Sequence, residues 1–196
     1  MEPRIFVTSD WHFGHNKEFV YKERGFSSIE EHNETIIRNH NEVVAPNDII
    51  WFCGDAMLGE NPDYGIECIK RLNGQIHMIR GNHDTNIKVR RYLEECPNVV
   101  EAGLYATMIK KGKYSFYLSH YPTMVGSLEN SKNRLWNLAG HTHSKDKFEN
   151  ITVKCYNVAM DAHNCYPVLL DDIVADIKKK KDELIRLAQT SAQKVQ

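Results

Sequence analysis

Five short apolar runs in this chain each end by presenting groups that could do chemistry: Asp10-Trp11-His12, Gly54-Asp55, Gly81-Asn82-His83-Asp84, His120 and Gly140-His141-Thr142-His143. Gly, Asn and Asp are favoured turn residues, so any one cluster could be an ordinary turn. A turn needs no imidazole, however, and ten histidines spread at random would not place so many at strand exits. Imidazole and carboxylate suit zinc, manganese and iron, and the lack of cysteine donors argues against iron–sulfur and purely structural zinc sites. In Asp10-x-His12 and His141-x-His143 the i, i+2 spacing along extended chain would turn both side chains to one side, so each pair could clamp a metal. Asp55 has two oxygens and could bridge two ions, and Asn82 offers a neutral amide oxygen.

Charge accounting connects this set to phosphate. Two divalent ions bring four positive charges; two ligating aspartates and a bridging hydroxide remove three. The remaining positive centre attracts a phosphate anion. Paired ions roughly 3.5–4 Å apart can hold the nucleophile and polarise phosphoryl oxygens, and they lower the pKa of bound water. His83 is the natural group to face the substrate, protonating the leaving oxygen or stabilising developing charge, with Asp84 orienting its ring. His15 and Asn16, on the first loop, are candidate substrate contacts, with surface-loop polarity as the plain alternative. Arg80 is another, an ion-paired strand end explaining it equally well. Tyr121 follows His120 and reads as packing or a pocket wall. His32, His40, His77 and His163 have no ligand-like partners.

The elements that must position these groups are readable in outline. Ile5–Thr8, Ile49–Cys53 and the run ending at Ile79 are strand-like. Ser28-Ile29-Glu30-Glu31 has capping-box spacing and opens a helix to about Val44. A second helix is expected over Tyr64–Leu72, closed by Asn73-Gly74. Leu104–Ile109 and Tyr114–Ser119 flank Lys110-Lys111-Gly112-Lys113 as a hairpin. Leu135–Ala139 is a further strand, Ile151–Met160 a strand or hairpin pair, and Leu169–Leu187 a closing amphipathic helix. Alternating strands and helices followed by hairpins predict a mixed α/β fold with two sheets face to face and helices outside. Open α/β sheets place their sites at strand carboxyl ends, where these clusters stand.

The chain has 196 residues, 41% hydrophobic and 26% charged, with a formal net charge of −1. That length suits one core, and neither repeat nor linker divides it, so a single domain over 1–196 is expected. Near-neutral charge and the lack of an aromatic-and-basic strip disfavour nucleic acid; Lys178–Lys181 reads as a solvated helix face. No apolar run is long enough for a bilayer span, and no signal peptide is evident. Five scattered cysteines without a C-x-x-C pair read as buried, reduced thiols of a cytoplasmic protein.

In this order the motifs D-x-H, G-D, G-N-H-[DE], H and G-H-x-H resemble those of the calcineurin-like metallophosphoesterase superfamily, with a match over residues 10 to 143 and every ligand position present. The resemblance implies a four-layer α-β-β-α sandwich with two central mixed sheets and a dinuclear centre. It implies that Asp10, His12, Asp55 and His143 hold one ion, that Asp55, Asn82, His120 and His141 hold the other, and that His83 is catalytic. The cations expected are manganese first, with iron, zinc, nickel or cobalt as alternatives. The reaction expected is hydrolysis of small phosphomonoesters or phosphodiesters by a metal-bridging hydroxide; a nuclease and a non-catalytic scaffold are the competing readings. The family's second motif often continues with charged or asparagine residues, whereas Ala56-Met57-Leu58 follow here. Substrate choice would fall to loops such as 13–27, 56–63 and 121–134.

Overall fold

The computed structural model describes residues 2–125, 134–148 and 151–193; residues 126–133 of the third expected specificity loop lie outside them. In chain order the elements are β1 (Ile5–Thr8), α1 (Glu18–Tyr21), α2 (Ile29–Val43), β2 (Ile49–Phe52), α3 (Pro62–Lys70), β3 (Gln75–Ile79), α4 (Asn86–Glu95) and β4 (Val99–Leu104). There follow β5 (Ala106–Lys111), β6 (Tyr114–Ser119), β7 (Leu135–Ala139), β8 (Cys155–Asn157), β9 (Val168–Leu169) and α5 (Leu170–Gln193).

The strands form two mixed sheets. The first has the order β4-β3-β2-β1-β9, and its register pairs Ile5 with Ile49 and Ile49 with Gln75 in parallel; β9 is antiparallel to β1. The second has the order β5-β6-β7-β8, a hairpin extended by parallel pairs. Period-two alternation sorts the side chains. Phe6, Ile50, Phe52, Ile76 and Met78 pack on one face with Ile36 and Ile37 of α2, Ile66 and Ile69 of α3 and Tyr92 of α4. Val7 and Ile79 face the other way, joining Phe116 and Leu118 of β6, Trp136 and Leu138 of β7, and Leu170, Ile173 and Ile177 of α5. Burial of each such side chain contributes about 1.5–3 kcal/mol, so the buried faces fix register and hold both sheets in one orientation. Because β1, β2 and β3 are parallel, their carboxyl ends share one edge. The parallel pair β6 and β7 likewise puts His120 and Gly140 at a common end, where Gly140 N donates to His120 O at 3.1 Å.

The elements differ from expectation in several places. Helices α1 and α4 have no counterpart among the expected elements, and α3 begins at Pro62 and ends at Lys70, two residues ahead of the expected bounds. Ser28 caps α2 by accepting from Glu31 N, but the Glu31 carboxylate reaches back to Ser27 N at 2.8 Å, one residue earlier than a capping box requires. The Leu104–Ile109 run belongs to two sheets: β4 ends at Leu104, and β5 starts at Ala106. Ile151–Met160 holds a short 3-10 turn at Ile151–Val153, then β8, with a second such turn at Met160–His163. The last helix starts at Leu170 and runs on to Gln193. All five cysteines are buried and unbonded to one another. Among the described residues no helix is long and apolar enough to cross a membrane.

Candidate metal centre

The loops after β1 and β2 continue the parallel ladder beyond the sheet: Asp10 N donates to Gly54 O at 2.9 Å, His12 N to Asp55 O at 3.1 Å and Phe13 N to Ala56 O at 3.0 Å. Within that zipper the backbone is not extended. Asp10 has φ 60°, His12 50°, Asp55 63°, His141 73° and His143 52°. The extended i, i+2 geometry expected of Asp10-x-His12 and His141-x-His143 is therefore replaced by two left-handed residues in each pair. Such residues cost about 1–3 kcal/mol each and persist where surrounding structure over-determines them, which is typical of ligand clamps and active sites. Here hydrogen bonding from neighbouring loops supplies that determination.

Two groups of donors result. His12 Nε2 lies 3.1 Å from His143 Nε2, and both nitrogens lie 3.7 Å from Asp10 Oδ1. His120 Nε2 lies 2.8 Å from Asn82 Oδ1, 3.2 Å from His141 Nδ1 and 3.5 Å from Asp55 Oδ2. Asp55 joins the groups: its Oδ1 accepts from His83 N at 2.9 Å, while Oδ2 stands 3.8 Å from His12 and 3.5 Å from His120. Asp10 reaches both as well, since its donor atom lies within 4.8 Å of those of Asp55 and His120.

The donor set fits divalent cations. Asp10 Oδ2 accepts from Ser9 Oγ and His141 N, but its buried Oδ1 has no hydrogen-bond partner. A buried carboxylate oxygen without a partner is costly. His120 Nδ1 faces Cys53 O at 2.9 Å and must donate to it, so the tautomer that can ligate a cation carries its lone pair on Nε2, turned toward the Asn82 and Asp55 oxygens. Converging lone pairs repel unless a cation lies among them. Donors sharing one ion at bond lengths of about 2.1 Å sit roughly 3–3.5 Å apart, close to the shorter separations here.

Electrostatics favours the metal-ready forms of Asp10, His12 and His141. Burial would raise the Asp10 carboxyl, but the close approach of His12 at 3.7 Å, with the charges of His143 and His120 behind it, outweighs burial and holds it down at about 2. Burial lowers His12 against the pull of Asp10, and lowers His141 with help from His120, so both favour the neutral ligand form. For His143 burial also works downward, but the Asp161 hydrogen bond and the charges of Asp10 and Asp161 prevail and raise it.

The remaining candidates separate. His83 follows Asn82 with its ring over the centre, Nε2 being 3.9 Å from Asp55 Oδ2. Asp84 does not hydrogen-bond the His83 ring as expected. Its buried carboxylate accepts from Asp55 N at 2.7 Å, Gly81 N at 2.8 Å, Ala56 N at 3.2 Å and Tyr92 Oη at 2.9 Å, and so ties the second and third loops together. Arg80 donates to Asp84 O, Asn86 Oδ1 and Tyr105 Oη. His15 is buried beside His12, their ring centroids 5.4 Å apart, and burial with the charges of His12 and His83 depresses it to about 4. Asn16 is exposed and lines a small pocket with Gly14, His15, Lys17 and Tyr64. Tyr121 sets its ring edge-on to His141, centroids 4.5 Å apart.

Sequence reasoning missed three further participants. Asp161, in the Met160–His163 turn, accepts from His143 Nδ1 and is gripped by Arg24, which also donates to Asp10 O at 2.8 Å. Lys88 of α4 donates to His83 O at 2.8 Å and Met57 O at 2.7 Å, steadying the loop that carries His83.

Comparison with known proteins agrees with this geometry. The family model for calcineurin-like phosphoesterases matches residues 3–192. An uncharacterised protein of Methanocaldococcus jannaschii is 35% identical over 183 residues, covering 91% of this chain and 93% of that protein. The gene 66 protein of Mycobacterium phage L5 is 26% identical over 160 residues, 71% of this chain and 77% of its own. Among solved structures, a protein of unknown function from Aquifex aeolicus superposes with a TM-score of 0.68 at 20% identity, over 89% of this chain and 99% of that one, which shows a shared fold. With its ordered motifs brought to one edge of two mixed sheets and the family model spanning nearly its whole length, this chain belongs to the calcineurin-like phosphoesterase family.

Proposed function

We propose that this protein is a metal-dependent hydrolase of small phosphoesters, with Asp10, His12, Asp55, Asn82, His120, His141 and His143 holding two divalent cations. The observation that carries the reading is Asp55 Oδ2, which stands between His12 Nε2 at 3.8 Å and His120 Nε2 at 3.5 Å while Oδ1 is occupied by the His83 amide. One carboxylate oxygen is thereby left to serve both donor groups. Bound there, divalent cations supply Lewis acidity toward phosphoryl oxygens and water acidified to near-neutral pKa.

The chain's own residues supply the rest. His83 gives its proton to the departing ester oxygen; its backbone is held on one side by Asp55 and on the other by Lys88. Asp84 keeps the His83 and Asp55 loops in register through their amides. His15, kept neutral by burial, walls the site on the His12 side. Manganese is the first cation to test. The buried thiols suit a reducing compartment such as the cytoplasm.

The test is hydrolysis of p-nitrophenyl phosphate and bis(p-nitrophenyl) phosphate. Protein stripped by chelation should be inactive and manganese should restore turnover. His83→Ala should lower kcat by about 10²–10⁴ while manganese still binds. Failure to hydrolyse either ester with manganese, iron, zinc, nickel or cobalt overturns the reading. Rates unaffected by His83→Ala would favour a scaffold on the same fold.

A further inference from the structure

Beside the centre lies a cleft of about 660 Å³, a volume within the range of small-molecule sites. Asn82 and His120 line it, so it opens directly onto one group of donors. Its other walls include Tyr105, Tyr117 and Tyr121. Tyr121 is 52% exposed, although its ring is placed edge-on to both His141 and His120. Tyr105 is 76% exposed, at the point where the chain passes from the first sheet to the second.

Tyr105 is exposed without being loose. The Arg80 guanidinium lies 5.3 Å from its ring centroid and donates to its hydroxyl at 3.2 Å. Arg80 is itself fixed by two hydrogen bonds to Asp84 O, at 3.0 and 2.8 Å, and one to Asn86 Oδ1 at 2.7 Å. With its donors so occupied, Arg80 holds the tyrosine in place. Aromatic faces held rigid and open beside a polar centre suit a flat π-system, which stacks at low cost in side-chain entropy.

The position of His83 fixes which part of a substrate reaches the cleft. Its ring neighbours His12 at 5.7 Å and His15 at 6.4 Å, and none of these three residues lines the cleft. With the ester oxygen leaving beside His83, its group would lie on the His12 and His15 side, and a substituent retained on phosphorus would be free to enter the cleft that Asn82 and His120 line. A monoester has no retained substituent; a diester has one. We propose that the substrates are phosphodiesters whose retained arm carries a flat aromatic ring of the nucleoside class, stacked against Tyr105 and Tyr121 in this cleft. This rests on the phosphoesterase reading above. In the reaction, a water oxygen bonds to phosphorus and sheds one proton to solvent. The bond to the leaving oxygen breaks with its electron pair on that oxygen, which takes the His83 proton. Solvent reprotonates His83, and the aromatic arm departs as a monoester.

Two esters with one leaving group test this on the manganese-loaded full chain: thymidine 5′-(p-nitrophenyl phosphate) and methyl p-nitrophenyl phosphate. The thymidine ester should have a kcat/KM higher by about tenfold or more, and Tyr105→Ala should reduce that preference by about fivefold or more. Equal kcat/KM for the two esters, or a preference untouched in both Tyr105→Ala and Tyr121→Ala, overturns the proposal. Hydrolysis of neither ester would count against the phosphoesterase reading instead. The cleft is then tested by equilibrium dialysis of thymidine 5′-monophosphate against methyl phosphate. Tighter nucleotide binding that weakens in Tyr105→Ala supports the subsite, and equal binding removes it.

Discussion

His143 Nδ1 lies 3.1 Å from Asp161 Oδ2, and Arg24 Nη2 holds the same oxygen at 2.8 Å. Burial of Asp161 would raise its carboxyl, but the hydrogen bond and charge of His143 with those of Arg24 outweigh it and keep the carboxyl ionised. The carboxylate therefore keeps the proton on Nδ1 and turns Nε2 toward Asp10 and His12. Partners of this kind orient a ligating ring and raise its basicity. Asp161→Asn should weaken manganese affinity about 10–100-fold in chelator competition, with far-UV circular dichroism unchanged. Unaltered affinity would reduce the Arg24–Asp161 pair to a brace for the Met160–His163 turn.

Asp84 makes a different prediction from the one its motif suggests. Three backbone amides and the Tyr92 hydroxyl converge on its carboxylate, and none of them is a ring nitrogen of His83. Tyr92→Phe removes one hydrogen bond to a buried charge and should cost about 1.5–3 kcal/mol in urea unfolding. Asp84→Ala orphans all four donors and should cost more. An Asp84→Ala protein as stable as wild type but slow in turnover would return Asp84 to a direct role beside His83.

The seven candidate ligands were legible because each follows an apolar run, and strand exits in an α/β sheet converge whatever the detailed topology. Asp161 offered no such sign. Its partner Arg24 lies 137 residues away, and only the fold juxtaposes them. Helix α4 went unread because Tyr92 is its one fully buried side chain among the described residues, leaving little apolar periodicity; Thr85, which caps it by accepting from Lys88 N, was the available signal. Strand β4 was obscured by Glu101 and Gly103 within it. The hairpin pattern then absorbed Leu104, although Tyr105 is where the chain leaves one sheet for the other. The left-handed ligands were unreadable for a physical reason. Asp and His enter that conformation more readily than most residues, but which of them does so is decided by tertiary contacts, here the hydrogen bonds between loops.

Gly140, in the last motif, is required by close approach. A β-carbon there would meet Ser9 Oγ and Asp10 Oδ2, the atoms that hydrogen-bond each other and, through Asp10, the His141 amide. Gly140→Ala should push Asp10 out of place and weaken manganese binding by more than about tenfold, because second-partner losses alone reach that size. The hydrophobic clusters do not include this position, so thermal unfolding of the metal-free protein should shift far less than metal affinity does. Metal affinity within twofold of wild type would show that the loop absorbs the methyl group.

His40 carries a pH prediction that is independent of the metal centre. It is fully buried on α2, with Nε2 at 2.9 Å from Asn73 O and Nδ1 without a hydrogen-bond partner. Burial depresses its pKa from 6.5 to about 4, against the opposing pull of the Asn73 carbonyl. Above pH 6.5 the ring is neutral whether folded or unfolded, so its contribution to stability is constant. As pH falls from 6.5 toward 4 the unfolded chain takes up the proton first, and stability is lost through that window, by about 3 kcal/mol in all. Urea unfolding of metal-free protein across pH 7.5 to 4 should show this decline. In His40→Gln, which retains a donor for Asn73 O, the slope should fall by about one proton. An identical slope in both proteins would mean that His40 already binds its proton in the folded state.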